Sequence, residues 1–589
     1  MSTYDKASLV LIPSGTKEGV VFSQKPTNGD GDFTFTRASS ATRVNSDGLI
    51  EKETQNLLLQ SNQFDTTWTN SVSTETGGQS GYDGSSDAWL LSKSGNGGRI
   101  YQNVAVSNLN TFSVYAKANT LNWVSLWTNI GTSYFDLENG VVGDITASTS
   151  ITSNIESVGN GWYRCSFVFN TTISQVRIYP ADGNLDTSGS SGSIYIQDAQ
   201  LNQGLVADPY LETTTAAVYG GITDNIPRLD YTDASCPSLL LEGQRTNAVP
   251  YSEYFNTGWS KDGSSVTSNA ATSPEGLQNA TKLVEDTSTG LHMLSYTNLY
   301  VVGAGDDNYL TLYAKEGERR YLAISSRGNF SNNDNTLIFD TRDGVWTNND
   351  SNQNTGQDPI NVGNGWWRIQ VLNESISASY DGFGIGIAET GDNWTGASYT
   401  GDGTSGIYIW GAQAEIGSYA TSYIPTYGAS VTFASDSMQI ASGISDLLPQ
   451  GTGTMYIEAT IADAVDTEGY LMRIEQGSFA DTIFILRGAN GNLGAYYRNG
   501  NSTIIFLEKI NVADTFKAAF AFESGNSVLY VNGEQVGTSS VTYTPLTTYN
   551  DIRIGGYSPS AANMSGVVSQ SLVFKTRLSN EELATLTTI

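Results

Sequence analysis

Hydrophobic and polar residues alternate along this chain with a period of two, in short runs broken by Gly, Asn and Asp. "FSVYAKA" (112–118), "WVSLW" (123–127), "CSFVFN" (165–170) and "IYIQDAQL" (194–201) are such runs, and "SGNGG", "LENG" and "TSGSSG" separate them. Successive side chains of a strand point to opposite faces, so the pattern predicts half-buried strands joined by tight turns. One segment reads differently. "LSNEELATL" predicts a short terminal helix, capped by Ser579 or Asn580 with Glu581 and Glu582 in its first turn. The fold class expected is all-β, with that helix as the exception.

The strand pattern occurs twice. "NQFDTTWTN" (62–70) returns as "SEYFNTGWS" (252–260), "FSVYAKA" as "LTLYAKE" (310–316), and "FDLENGVV" (135–142) as "FDTRDGVW" (339–346). "YDGSSDAWLL" (82–91) matches "PEGLQNATKL" (274–283), and "GSIYIQDAQLNQG" (192–204) matches "SGIYIWGAQAEIG" (405–417). The matches keep their order while the register drifts slowly, as loop insertions between equivalent strands would make it. Two copies of one domain follow, each with enough antiparallel strands for a two-sheet jelly roll. The boundaries expected are a leader or docking segment at 1–55, repeat one at 56–212, a linking segment at 213–245, repeat two at 246–427 and a third jelly roll at 428–589. The two leaders echo each other, and each is expected to pack along its own jelly roll.

The clearest match pairs "GNGWYRCSFVF" (159–169) with "GNGWWRIQVL" (363–372). Asn-Gly supplies the positive backbone angles of a tight hairpin turn. In the strand that follows, Tyr163, Cys165, Phe167 and Phe169 alternate with Trp162, Arg164, Ser166 and Val168. The wholly apolar set is expected to point between the sheets. Trp162 and Trp366 then share the other face with Arg164 and Arg368, either exposed or covered by a loop.

Composition narrows the function. A chain of 589 residues exceeds the roughly 250 at which single cores stop growing, so three or four domains are expected. With 29 basic against 59 acidic residues and a net charge of −30, a basic stripe for nucleic acid or an anionic membrane is disfavoured. No apolar run is long enough to span a bilayer, and "MSTYDKASLVLIPSG" lacks the pattern of a signal peptide. Of the two cysteines, Cys165 reads as a small buried hydrophobe, with a disulfide to Cys236 as the alternative.

Two resemblances follow from these residues. "FKAAFAFESGNSVLYVNGEQVG", "IRIGG" and "FKTRLSNEEL" make residues 451–589 resemble the concanavalin-like and laminin-G-like jelly rolls. "FTFTRASSATRVNSDGLIE", "CPSLLLEGQRTNAVPYSEYFNTGWSKDG" and "IYIWGAQAEIGSYATSYIPT" make residues 1 to about 425 resemble repeated modules of bacteriophage head-fibre, head-spike and tail-fibre proteins. The second resemblance implies carbohydrate-binding-module-like jelly rolls on a virion, assembled in the host cytoplasm. It also implies docking on other virion proteins through the N-terminal segment and a homo-oligomer with a trimer favoured; it implies no particular sugar, so a binder of host-surface glycans and a passive structural component both stay open.

Sugars stack their C–H faces on aromatic rings, which singles out Trp123, Trp127, Trp346, Trp394, Tyr496, Tyr497 and Arg498 as carbohydrate-binding candidates. Each competes with a core role. Trp123 and Trp127 share a strand face, as core residues would. No catalytic residue is assigned. A tailspike-type glycan hydrolase, the alternative function, needs two carboxylates, yet the Glu-x-Asp-x-x-Glu strand motif of glucanases is missing and Thr460 stands where its Asp would be. The single histidine, His292, sits at a strand-like position and reads as structural. No cofactor is expected. Structural calcium is the one metal considered, at "NGDGD" (28–32), "DGSSD" (83–87) or "GDGTSG" (401–406), with Glu275 and Asn279 replacing Asp83 and Asp87 in copy two.

Overall fold

A computed structural model describes residues 3–589 except 147–149, 233–234, 298, 300–306, 326–335, 349, 352–353, 374–381, 392–397, 418, 442, 462–468, 477–478, 489, 547 and 557–563. The chain folds into three antiparallel β-sandwiches.

The first sandwich packs two six-stranded sheets. One runs, in spatial order, Ser150–Gly159, Trp162–Asn170, Leu109–Ala118, Gly192–Gln203, Ala88–Lys93 and Ser73–Gln79. The other runs Val141–Ile145, Gly131–Asp136, Trp123–Thr128, Ile173–Ala181, Arg99–Val106 and Thr69–Ser71. Phe112, Val114, Leu126, Phe135, Cys165, Phe167 and Phe169 fill the space between them. The second sandwich repeats this strand order in both sheets, with Trp366–Asn373 in place of Trp162–Asn170 and Tyr321–Ser325 in place of Trp123–Thr128. Even the irregularity is shared. A bulge between Ser113 and Tyr115 recurs between Thr311 and Tyr313, and opposite it Asp198 and Gly411 take positive φ of 52° and 66°. The repeat read from sequence is thus a repeat of topology and of local backbone.

The paired Asn-Gly turns behave as expected, with φ of 52° and 77° at Asn160 and Gly161 and 51° and 79° at Asn364 and Gly365. Both central residues positive is the type I′ turn that matches the twist of a hairpin. Trp162 and Trp366 on the outward face are nevertheless buried. Trp162 packs against Ala88, Tyr115, Tyr82 and Tyr195, and Trp366 against Ile50, Tyr313, Trp410 and Tyr423. Beside them, Arg164 donates to the carbonyl of Asp208 at 2.6 Å, and Arg368 donates to the carbonyl of Thr421. Each arginine grips the segment leaving its own sandwich and draws it across the tryptophan. This motif is architectural in both copies.

The third sandwich corrects the expected boundaries. Its eight-stranded sheet holds Gly453–Ile461, Thr515–Phe522, Ser527–Val531, Glu534–Ser539 and Gly566–Phe574, but also Arg228–Asp230 and Ser238–Leu241 from the linking segment and Leu9–Leu11 from the N-terminus. Its nine-stranded sheet takes in Thr16–Lys17, Val20–Val21 and Phe33–Thr36, the last paired with Ser437–Ile440. Leu9 lies opposite Val573 and Leu239 opposite Val568. The early part of each leader therefore joins the third sandwich, while its last residues pack on its own jelly roll, Leu58 in the first core and Val249 in the second. Phe33 and Phe35 alternate with exposed threonines, and both are buried in the third core. Alternation of this kind announces a half-buried strand but not which sheet will receive it.

A buried ionic node locks these pieces together. Asp436 accepts from Arg37 Nη1 at 3.2 Å and from Arg228 Nη2, while Arg228 Nη1 reaches Glu242 at 2.6 Å. The arginines come from the two leaders, and Asp436 from the segment entering the third sandwich. The helix Asn580–Thr587 is capped by Ser579 in a reciprocal box with Glu582. A second, one-turn helix at Thr3–Lys6, not foreseen, brings Lys6 to Glu582. This ion pair, its largest cause, holds the Glu582 carboxyl down at about 2.

Candidate functional site: an aromatic–arginine face

Trp123 and Trp127 occupy the strand Trp123–Thr128, whose other residues Val124 and Leu126 point into the core. The two tryptophans lie on the outer face, half-buried, and are not core residues. Both faces of this strand carry large apolar side chains, so alternation alone cannot say which one turns inward.

The register builds a cross-strand row around them. Trp127 lies opposite Thr132 on one side and Arg177 on the other, and Arg177 lies opposite Tyr101. One pair further along the strand, Ser125 lies between Tyr134 and Tyr179. The Arg177 guanidinium sits 3.6 Å from the Trp127 ring centroid, in van der Waals contact, an arrangement worth about 0.5–1 kcal/mol at an exposed site. Arg177 is held at two further points: Nε donates to Gln175 at 2.5 Å and Nη1 to the Tyr179 hydroxyl at 3.0 Å. Arg99 lies over the Tyr179 ring, 5.7 Å from its centroid. Tyr134 and Tyr179 are buried and pave the floor, while Tyr101, Trp127 and Arg177 stand half-exposed above it. Burial, with smaller contributions from Tyr179 and Asp186, raises the Tyr134 phenol above its ordinary range. Trp123 is tucked toward Gly143, where an added Cβ would meet both its ring and Asn184.

The second sandwich supplies an internal comparison. At equivalent positions of the same sheet Trp127 becomes Ser325, Arg177 becomes Gly384, Tyr179 becomes Gly386, Tyr134 becomes Ile338, Tyr101 becomes Ser295 and Arg99 becomes Met293. Only Trp123 keeps an aromatic counterpart, Tyr321. The topology closes without these rings and guanidinium groups, so the fold does not require them. Tyr101, Tyr134, Tyr179, Arg99 and Arg177 were not singled out from sequence. The signal was present in the aligned repeats, where "SQVRIYPA" answers to "GFGIGIA".

The other candidates sit elsewhere. Trp346 packs edge-on against Phe339 at 5.2 Å and donates to the Gln357 carbonyl at 2.8 Å, closing the margin of the second core. Trp394 lies outside the described residues. Tyr497 is fully buried in the third core, where its hydroxyl accepts from Leu546 N at 3.0 Å. Tyr496 belongs to an outer-face ladder, stacked on Phe484 at 4.6 Å and tilted by 31° against Phe506 at 4.7 Å, while Arg498 covers Phe479 at 4.5 Å. Those spacings equal the distance between strands, so the rings stand on edge with their faces turned to each other. The faces of Tyr496 are already taken. The four described candidates of the later sandwiches, Trp346, Tyr496, Tyr497 and Arg498, are therefore not brought together with Trp123 and Trp127.

Carboxylates and the histidine serve the scaffold. Among the described residues no group of three or more His, Cys, Asp or Glu side chains gathers in a metal-holding arrangement. Asp83 and Asp87 both accept from the Gln197 amide, Asp402 caps its own turn, and Asp32 accepts from Ser23. Glu275 instead holds an internal cation: Lys52 Nζ lies 2.8 Å from it and 3.4 Å from Glu253, buried between the first two sandwiches. Burial pushes the neighbouring Asp208 and Glu253 carboxyls up to about 7, against the pull of Lys52. His292 is buried with its two ring nitrogens against the carbonyls of Gly263 and Tyr399. Cys165 is buried, Cys236 is exposed, and both are free.

Comparison with known proteins bears on the fold. A family model described as the Concanavalin A-like lectin/glucanases superfamily matches residues 433–584. The third sandwich extends beyond that match, since strands from residues 9–36 and 228–241 complete it. No curated protein matches the chain. Among solved structures, the chain is similar to the CBM40 of the Ruminococcus gnavus IT-sialidase bound to α2,3 sialyllactose, at 18% identity and a TM-score of 0.23, covering 26% of this chain and 96% of that one. It is similar to the tandem CBM22 domains of Paenibacillus barcinonensis Xyn10C, at 12% identity and 0.19, covering 64% and 100%. It is also similar to the LG1-3 region of the laminin α2 chain, at 9% identity and 0.20, covering 81% and 95%.

Proposed function

We propose that this protein is a non-catalytic glycan-binding component of a phage particle, and that it meets sugar on the outer face of its first sandwich. One observation carries the binding reading. An aromatic–guanidinium surface is built on one of two copies of the same sheet, and the other copy folds without it. Trp127 and Tyr101 offer the partly exposed rings that sugar C–H groups pack against, and Arg177 offers a fixed donor fork for hydroxyl or acid groups. The nearby Asp136 is spent on its own turn, accepting from Glu138 N, Asn139 N and Asn139 Nδ2. A binding role suits that arrangement better than two-carboxylate hydrolysis.

The virion placement rests on the motifs quoted above. So do the host-surface glycan as ligand and the homotrimer. Because residues 9–36 are built into the third sandwich, attachment to other virion proteins is proposed through an assembled surface, not a free N-terminal arm. Binding of the purified protein to a glycan array, repeated with Trp127→Ala, tests the first part. Array signal lost in the variant supports the reading, and signal unchanged removes this face from it. Light scattering tests the trimer, and a strictly monomeric mass would count against it.

A further inference from the structure

We infer that the saccharide taken by this face is an acidic one, its carboxylate held by Arg177 with Arg99. The inference rests on the glycan-binding reading and goes beyond it by naming the ligand class. In a chain with 59 acidic and 29 basic residues, many arginines carry a carboxylate, while others, such as Arg164 and Arg368, are held by backbone carbonyls. Arg37, Arg228, Arg319, Arg320 and Arg342 all carry one or more. Arg99 and Arg177 have no carboxylate within ion-pair distance among the described residues. Their hydrogen bonds go to neutral oxygens: Arg177 to Gln175 and Tyr179, Arg99 to the Gly97 carbonyl at 3.0 Å. The carboxylates near the face are engaged elsewhere, Asp136 in its own turn, Asp186 with Ser188 and Asp182 with Lys93.

Geometry adds to this. The two guanidinium groups flank one buried tyrosine, one over its ring and the other on its hydroxyl. That tyrosine fixes both heads in place before any ligand arrives, which lowers the ordering cost of binding. Arg177 keeps Nη2 unengaged among the described residues, and a planar fork of this kind suits a carboxylate better than a hydroxyl. A neutral sugar needs no pair of unneutralised cations. The second copy, with Gly384 and Met293 at these positions, has neither.

The test uses the full chain on an array of uronic-acid and nonulosonic-acid oligosaccharides beside their carboxyl-reduced counterparts. Affinities of the best pair are then measured by calorimetry at two salt concentrations. The expected result is at least tenfold tighter binding of the acid form, weakening with salt. Arg177→Gln should bring the acid form down to the level of the reduced one, with an unchanged melting temperature showing that the variant is folded. Equal binding of acid and reduced forms would overturn the inference and leave a neutral-glycan site standing. No binding of any saccharide would overturn the glycan reading itself. Equal binding of poly-glutamate would show a general anion site and overturn the saccharide assignment.

Discussion

Replacing Asp436 by Asn should loosen the third sandwich while sparing the first two. Asp436 is buried and accepts from Arg37, from Arg228 and from the backbone of Glu242 at 2.9 Å. The amide keeps the shape but removes the charge, leaving two buried arginines with Glu242 as their one remaining carboxylate in the node. Breaking one partner out of a buried ionic cluster costs about 3–5 kcal/mol. With a urea m-value of about 3 kcal/mol per molar, that lowers the midpoint by roughly 1–1.7 M. The sequence provides the assay. All 11 Trp residues lie between Trp68 and Trp410, so tryptophan fluorescence reports the first two sandwiches, while far-UV circular dichroism reports all three. The variant should show an early dichroism transition that fluorescence does not follow. A dichroism midpoint moved by less than about 0.3 M would refute the claim that this node holds the leaders in place.

Other outcomes follow from the same structure. Residues 428–589 produced alone should fail to fold, and a peptide of residues 3–36 with the 213–245 segment should restore a dichroism transition. Asp208 and Glu253 sit at about 7, above their unfolded values, so they bind extra protons when folded. Their contribution to stability is full below about pH 4, declines as pH rises toward 7 and is lost above it. Fluorescence-detected melting of the first two sandwiches should therefore be higher at pH 5 than at pH 8, and a flat profile would contradict the buried Lys52 cluster. Tyr496→Ala should destabilise the third sandwich by about 1–3 kcal/mol through loss of the ladder, with glycan binding unchanged.

The repeat was legible because equivalent strands face equivalent cores: Cys165 and Phe167 answer to Ile369 and Val371 in a register that tolerates no slip. Turns at Asn160 and Asn364 and the cap at Ser579 were legible for the same local reason, since each depends on a few adjacent residues. Two things were not. The leader strands Leu9–Leu11 and Phe33–Thr36 pair with partners hundreds of residues away, and a short alternating run carries no address. The outward turn of Trp123 and Trp127 was hidden because Val124 and Leu126 are equally good core residues. Copy two resolves that ambiguity: Leu322 and Ile324 stay apolar while the other face falls to Ala323 and Ser325. Conserved apolar positions between repeats mark the core, and positions where one copy alone bears aromatics and arginine mark the candidate site.

The most direct test of the central claim is saccharide binding by the full chain and its Trp127→Ala variant, measured side by side on one array at equal protein concentration. Binding by the parent protein and at least a tenfold loss in the variant are expected, with both melting alike. Undiminished binding by Trp127→Ala would contradict the claim.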